Sequence, residues 1–316
     1  MTVRSFDDVL RSVDNVDGWM SPDQARALFD AASACRAGDQ IVEIGSFRGR
    51  STIVLASAAA DGVAIVAIDP HAGNDRGPQE FDGFVEQAAG DFDIFQANLA
   101  GAGVADRVRH VRAMSNLAHG QVEGDISVLY IDGAHRYAPA RQDIVEWGAR
   151  VRPGGTLLIH DSFSSVGVTA AIVRALMFGA RFRYVGRARS MTVYHADLDG
   201  SGRSRAVNAT RQMAQLPWFA KNVSLKVLLS FGLGKVLKRL GRRCLSGHTD
   251  GEDSPVATHR LGPYLCQRCM AIACKHLQRC RRRRPCATAR CARQRARQVV
   301  RRRSPKRGRA RDATCR

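Results

Sequence analysis

Residues 41–45 (Ile-Val-Glu-Ile-Gly) run straight into Ser46-Phe47-Arg48-Gly49, and a helical pattern begins at Arg50. An apolar strand that ends on glycine, turns through a second glycine four residues on and continues as a helix is the start of a βα unit. Glycine has no Cβ, so the backbone of such a turn can come close to a ligand. Glu43 is placed at the end of the strand, near the turn.

The same alternation continues along the chain. Apolar runs at 63–69, 108–112, 126–132 and 156–160 are short, end in polar or turn residues, and suit parallel strands buried on both faces. Helical patterns lie between them at 50–60, 79–99 and 138–151, another follows at 166–178, and 182–187 with 191–195 reads as a terminal hairpin. This order predicts a doubly wound α/β domain over residues 36–197, with a mostly parallel seven-stranded sheet and an antiparallel hairpin at its end. Ser21-Pro22 caps a helix through Ala34, so residues 1–35 read as an N-terminal helical cap.

The formal charge of +20 suggests an anionic partner, but its distribution weakens that reading. Residues 1–202 carry 19 Lys/Arg against 25 Asp/Glu, a net of −6, while residues 241–316 carry 22 basic groups against 4 acidic ones. Cysteine divides the same way: Cys35 lies in the core, and the other eight of nine fall between Cys244 and Cys315. The core therefore reads as a reduced, cytoplasmic domain. Neither a signal peptide nor a membrane span is expected, because no segment reaches the roughly 20 apolar residues that a span needs.

The second strand ends at Asp69, 24 residues beyond Gly45, where an acid can accept hydrogen bonds from both hydroxyls of a ribose. With acid-x-Gly-x-x-x-Gly at Glu43–Gly49 and Asp69 at this spacing, residues 20–197 resemble the class I S-adenosylmethionine-dependent methyltransferases. The resemblance implies that Glu43, Gly45, Ser46 and Gly49 belong to the cofactor turn, that Asp69 holds the ribose and that Ser115 lies near the adenine. A nicotinamide dinucleotide binder would carry an early second glycine where Ser46-Phe47 stands.

Ligands of open α/β sheets bind beyond the carboxyl ends of the strands, where Asp132 and Asp161 follow the fourth and fifth strands. Leu129-Tyr-Ile-Asp-Gly-Ala-His135, with Arg152-Pro-Gly-Gly155, resembles a bacterial small-molecule and sugar O-methyltransferase subgroup with a catechol O-methyltransferase-like outline. That resemblance implies Mg²⁺ on Asp132 and Asp161, with His135 as the base. Hard carboxylate oxygens suit Mg²⁺, and imidazole titrates near neutrality. Ser162 departs from the pattern, since the catechol enzymes have asparagine there. Metal assistance, metal-free base catalysis by His135 with Asp132 nearby, and purely structural use of these residues all stay open. By strand alternation His160 should point away from Asp161, so it is not counted in the site.

Residues 198–241 read as a linker followed by a basic amphipathic helix at 216–240, which could lie on a membrane surface or pack on the domain. Residues 242–316 are rich in arginine and cysteine, lack apolar periodicity, and are expected to be disordered and to bind anions non-specifically. Cys266-Gln-Arg-Cys269 has no matching second pair for zinc. The abrupt change in composition near residue 242 also suits out-of-frame translation of a GC-rich gene.

The expected function is transfer of a methyl group to a hydroxyl of a small molecule, sugar or glycolipid. The alternatives are a nucleic-acid methyltransferase, which the acidic core does not favour, and a non-catalytic membrane or nucleic-acid binding protein on the same scaffold.

Overall fold

The computed structural model describes residues 4–72 and 90–230. Seven strands form one sheet: β1 (Gln40–Ile44), β2 (Ala64–Ile68), β3 (Val108–Val111), β4 (Ile126–Ile131), β5 (Val151–Ile159), β6 (Arg183–Ala188) and β7 (Met191–His195). Their order is β3-β2-β1-β4-β5-β7-β6. The first five strands pair in parallel, and β7 runs antiparallel to both β5 and β6. The expected α/β class and terminal hairpin are present.

Helices cover both faces of this sheet, which explains why the central strands show no polar face. Every residue of β4 is buried. Its Leu129 and Ile131 join a core with Trp147, Phe163 and Tyr194, while Val128 and Tyr130 join the opposite core with Leu28, Ile53 and Phe95. Two-sided burial of this kind selects continuous apolar runs instead of alternation.

The helices are α1 (Phe6–Ser12), α2 (Pro22–Ser33), α3 (Arg50–Ala58), α4 (Asp91–Gly101), α5 (Tyr137–Glu146), α6 (Val166–Ile172), α7 (Gly202–Met213) and α8 (Leu216–Ser230). Helix α2 starts with a capping box in which Gln24 N bonds Ser21 Oγ at 3.4 Å and Ser21 N bonds Gln24 Oε1 at 2.8 Å. The helix expected at 79–99 lies partly outside the described residues, and its described portion makes up all of α4 but the last two residues.

The expected linker beginning at residue 198 needs correction. Residues 202–213 form α7, capped by Ser201 and attached to the hairpin through polar side chains. Buried Asn208 accepts from Tyr184 N at 2.7 Å and donates to Phe182 O at 3.1 Å, and Tyr194 Oη bonds Gln212 Oε1 at 3.1 Å. Helix α8 docks on the domain through its first turns. Trp218 and Phe219 pack on the core, the Arg187 guanidinium lies 3.8 Å from the Trp218 ring centroid, and Asn222 donates to Phe163 O. No helix among the described residues is long and apolar enough to cross a membrane. Residues 231–240 of the amphipathic segment, and the 242–316 tail, lie outside the described residues.

Candidate active site

The sheet changes direction of winding between β1 and β4, and these two strand ends, with those of β2 and β5, frame the site. Four backbone bonds carry the ladder one residue past the strands. Gly45 N donates to Ile68 O, Asp69 N to Val111 O, Asp132 N to Ile44 O and His160 N to Ile131 O, at 2.8–3.2 Å. Gly45, Asp69, Asp132 and His160 therefore emerge at one edge.

Gly45 has φ +87°, and a Cβ there would stand 2.3 Å from Asp132 O. Only glycine permits this approach of the two backbones. Phe47 at φ +46° and Gly49 at φ +87° complete the turn. Arg48 fastens it from outside, with Nε 2.8 Å from Asp91 and a terminal nitrogen 2.5 Å from Asp17. Asp69 fastens it from inside, since its two carboxylate oxygens accept from Phe47 N at 2.8 Å and His71 N at 2.7 Å.

Each Asp69 oxygen takes one backbone amide and keeps a lone pair, which suits a ligand with paired hydroxyls. Ser46 Oγ is buried in the turn and has no hydrogen-bond partner among the described residues. A backbone-lined turn, an unsatisfied hydroxyl and a strand-end carboxylate fit S-adenosylmethionine. Gly45, Ser46 and Gly49 would hold its amino-acid end, and Asp69 its ribose.

Two residues expected in the cofactor site are engaged elsewhere. Glu43 is wholly buried, and its carboxylate accepts from Ser51 Oγ and Thr52 Oγ1 on α3. It ties the helix after the turn to the strand before it and does not face a ligand. Burial raises its pKa to about 7, against the two hydroxyl donors. Ser115 Oγ is bonded to Asp143 Oδ1 at 2.6 Å, and Ser115 O accepts from Trp147 Nε1, so this residue anchors α5.

No local motif announces the pair of histidines behind Asp69. His71 and His110 meet Nε2 to Nε2 at 3.1 Å against Phe92 and Phe95, and burial pushes His110 down to about 4. Both rings are therefore neutral at pH 7 and act as packing that backs the acid.

On the other side of Gly45, Asp132, His135, His160 and Asp161 form one cluster. His135 Nε2 is hydrogen-bonded to Asp161 Oδ2, and Ser165 Oγ at the start of α6 supports the loop by bonding His135 O at 3.4 Å. His160 Nδ1 lies 3.1 Å from Asp132 Oδ1 and 3.7 Å from Asp161 Oδ1. Tyr130 Oη donates to Asp132 Oδ2 at 3.1 Å. Burial opposes the charge of Asp161, but the imidazoles of His160 and His135 outweigh it and hold the carboxyl well below the usual range. At His160 burial disfavours a charged ring, and the two carboxylates outweigh it in the opposite direction.

His160 thus joins the site, contrary to the alternation argument. Strand geometry ends at Ile159, and Asp161 takes φ +52°, so the two side chains no longer point to opposite faces.

The magnesium site expected at Asp132 and Asp161 does not fit these residues. Magnesium requires near-octahedral oxygen ligation, whereas all four carboxylate oxygens face an imidazole or the Tyr130 hydroxyl. Ser162, in the position of the third ligand, is buried, with Oγ on Ile159 O and Thr192 Oγ1. Among the described residues no group of three or more His, Cys, Asp or Glu side chains is arranged to hold a metal.

Residues 42–162 match the family model described as "Methyltransferase domain". Solved structures similar to this chain include the O-methyltransferase NovP, at 16% identity and TM-score 0.46, covering 56% of this chain and 81% of that one. An O-methyltransferase from Bacillus cereus in complex with SAH is 18% identical, with TM-score 0.41 over 62% of this chain and 93% of that one. TomG from Streptomyces achromogenes, an O-methyltransferase in complex with SAM, is 18% identical with TM-score 0.40, covering 62% and 92% respectively. The family match spans the glycine turn, Asp69, Asp132 and Asp161, the residues that frame the candidate site.

Proposed function

We propose that this enzyme methylates a hydroxyl of a small molecule, sugar or glycolipid, with His135 as the base. The observation that carries this reading is the His135–Asp161 pair at the strand ends beside the glycine turn. An imidazole that donates Nε2–H to a carboxylate keeps its lone pair on Nδ1, and the carboxylate stabilises the imidazolium formed when that nitrogen takes a proton. His135 Nδ1 is shielded from solvent and has no hydrogen-bond partner among the described residues. Its use requires the 133–136 loop to admit the acceptor's hydroxyl to hydrogen-bonding distance.

When bound, S-adenosylmethionine supplies the electrophilic methyl group. The chain's own residues hold the turn, orient the acceptor and remove its proton. Asp132 carries the negative charge that faces His160, and its backbone forms the wall against Gly45. The net charge of −6 over residues 1–202 supports a small acceptor over a nucleic acid.

Transfer of labelled methyl from S-adenosylmethionine into fractionated cell extract, with EDTA or with added Mg²⁺, tests the proposal. Label should enter small-molecule or glycolipid fractions equally well under both conditions, in an O-methyl linkage. Transfer only with Mg²⁺, or only into RNA, would overturn it.

A further inference from the structure

Helix α6 has an apolar face that the core does not cover. Val166 and Phe178 are 64% and 57% exposed, and with Tyr137, Val173, Leu216 and Phe219 they line a groove of about 770 Å³ between α5, α6 and the start of α8. The groove begins at the acceptor side of the candidate site. A Cβ on Gly167 would stand 2.2 Å from His135 O, so the first turn of α6 lies directly against the backbone that follows the candidate base. Tyr137, two residues after His135, lines the groove at this end. From Val166 to Phe178 the helical wall runs roughly 18 Å at the usual rise per residue, and its second half, Val173–Met177, winds as a π turn.

We propose that this groove holds the hydrocarbon tail of an amphiphilic acceptor, laid along α6 so that the hydroxyl-bearing head reaches the His135 loop. The inference deepens the proposed function and rests on its placing the acceptor beside His135.

The volume is that of a small-ligand site, and the lining is mostly apolar with few polar groups, as such sites are. Its length along the helix suits an extended chain better than a compact ring. Thr169 makes no polar demand on an occupant, because its Oγ1 donates to Ser165 O at 2.6 Å. Arg174 also lines the groove, where its aliphatic stem can cover a chain while the guanidinium stays in water. A π turn gives up regular helical hydrogen bonding, and such turns concentrate at functional sites; this one forms part of the groove wall. Continuity with the His135 loop gives the head of an acceptor a destination, which neither a bilayer surface nor a second copy of the chain requires.

The test is a titration of the full chain with hexyl, octyl and decyl β-glucosides, each below its micelle concentration, followed in the ¹³C spectrum of the methyl groups. Signals of Val166, Val173 and Leu216 should shift with the tail and that of Ala134, in the 133–136 loop, with the head. The dissociation constant should fall by about 2- to 4-fold for each added methylene. Val166→Asp and Phe178→Asp change exposed side chains, so neither empties the core, and each should weaken decyl glucoside binding by about 10-fold or more. An affinity independent of chain length, or shifts confined to other methyls or absent at Ala134, would overturn the proposal even if neither variant folds. So would variants that fold and bind the decyl compound like the wild type. Binding to anionic phospholipid vesicles without binding to the monomeric glucosides would assign the face to a bilayer instead, and groove signals that change with protein concentration alone would assign it to a second copy. None of these outcomes depends on methyl transfer, so failure here is separable from failure of His135 as the base.

Discussion

Glu43 is the penultimate residue of the first strand, fully buried, with a pKa of about 7 where the unfolded chain has about 4.5. Its neighbours come from α3, so Glu43→Gln tests whether this acid is a fold contact. The folded state binds the Glu43 proton more tightly than the unfolded state does. Its contribution to stability is therefore fully present below about pH 4.5 and is lost as pH rises through about 7. A difference of 2.5 units corresponds to about 3 kcal/mol, of which about 2.5 kcal/mol falls between pH 5 and pH 8. Glutamine does not titrate, while other groups, including Asp143 whose carboxyl burial raises to about 6, titrate alike in both proteins and cancel. Thermal or urea denaturation of wild type and Glu43→Gln at both pH values gives the comparison. Relative to the variant, the wild type should lose about 2.5 kcal/mol on going from pH 5 to 8, a shift in Tm of roughly 5–10 °C for a domain of this size. A stability difference independent of pH would show that the carboxyl is not held in an apolar setting, and the argument would fail.

Gly45→Ala should cost about 3 kcal/mol or more, because a Cβ would meet Asp132 O in a backbone conformation that alanine avoids; an unchanged denaturation midpoint would contradict this. Asp69→Asn removes the charge from two backbone hydrogen bonds that shape the turn. Calorimetry should show S-adenosylhomocysteine binding weakened by about 10- to 100-fold. Asn208→Ala leaves Tyr184 N and Phe182 O without their partner and should destabilise the domain by about 2–4 kcal/mol. A neutral result in urea would mean that α7 is not an integral part of the domain.

The strands and the glycine turn were legible because each is local: an apolar run buried on both faces, then backbone that must approach a neighbour. The site was legible where strand ends dictate it, at Gly45, Asp69, Asp132 and Asp161. His160 was lost because a period-2 rule was carried one residue past the last strand position, into backbone that Asp161 turns left-handed. Glu43 was misplaced for a related reason. Proximity to the turn in sequence does not say which face a side chain takes, and here it faces α3. Helix α7 escaped because its buried positions are Asn208, Ala209 and Gln212, so polar bonding replaces apolar periodicity. The contact between Gln24 Nε2 and His160 Nε2 could not be read at all, because it arises where a helix cap meets the end of β5, 136 residues away in the chain.

The central claim is a division of labour across Gly45, with the cofactor held on the Asp69 side and the acceptor's proton removed on the His135 side. Measuring His135→Ala for both S-adenosylhomocysteine affinity and the rate of labelled-methyl transfer to the fractionated acceptor tests it most directly. The account predicts affinity within about twofold of wild type and transfer slowed by about 10²- to 10⁴-fold. Transfer at the wild-type rate, or loss of cofactor affinity in step with transfer, would contradict it.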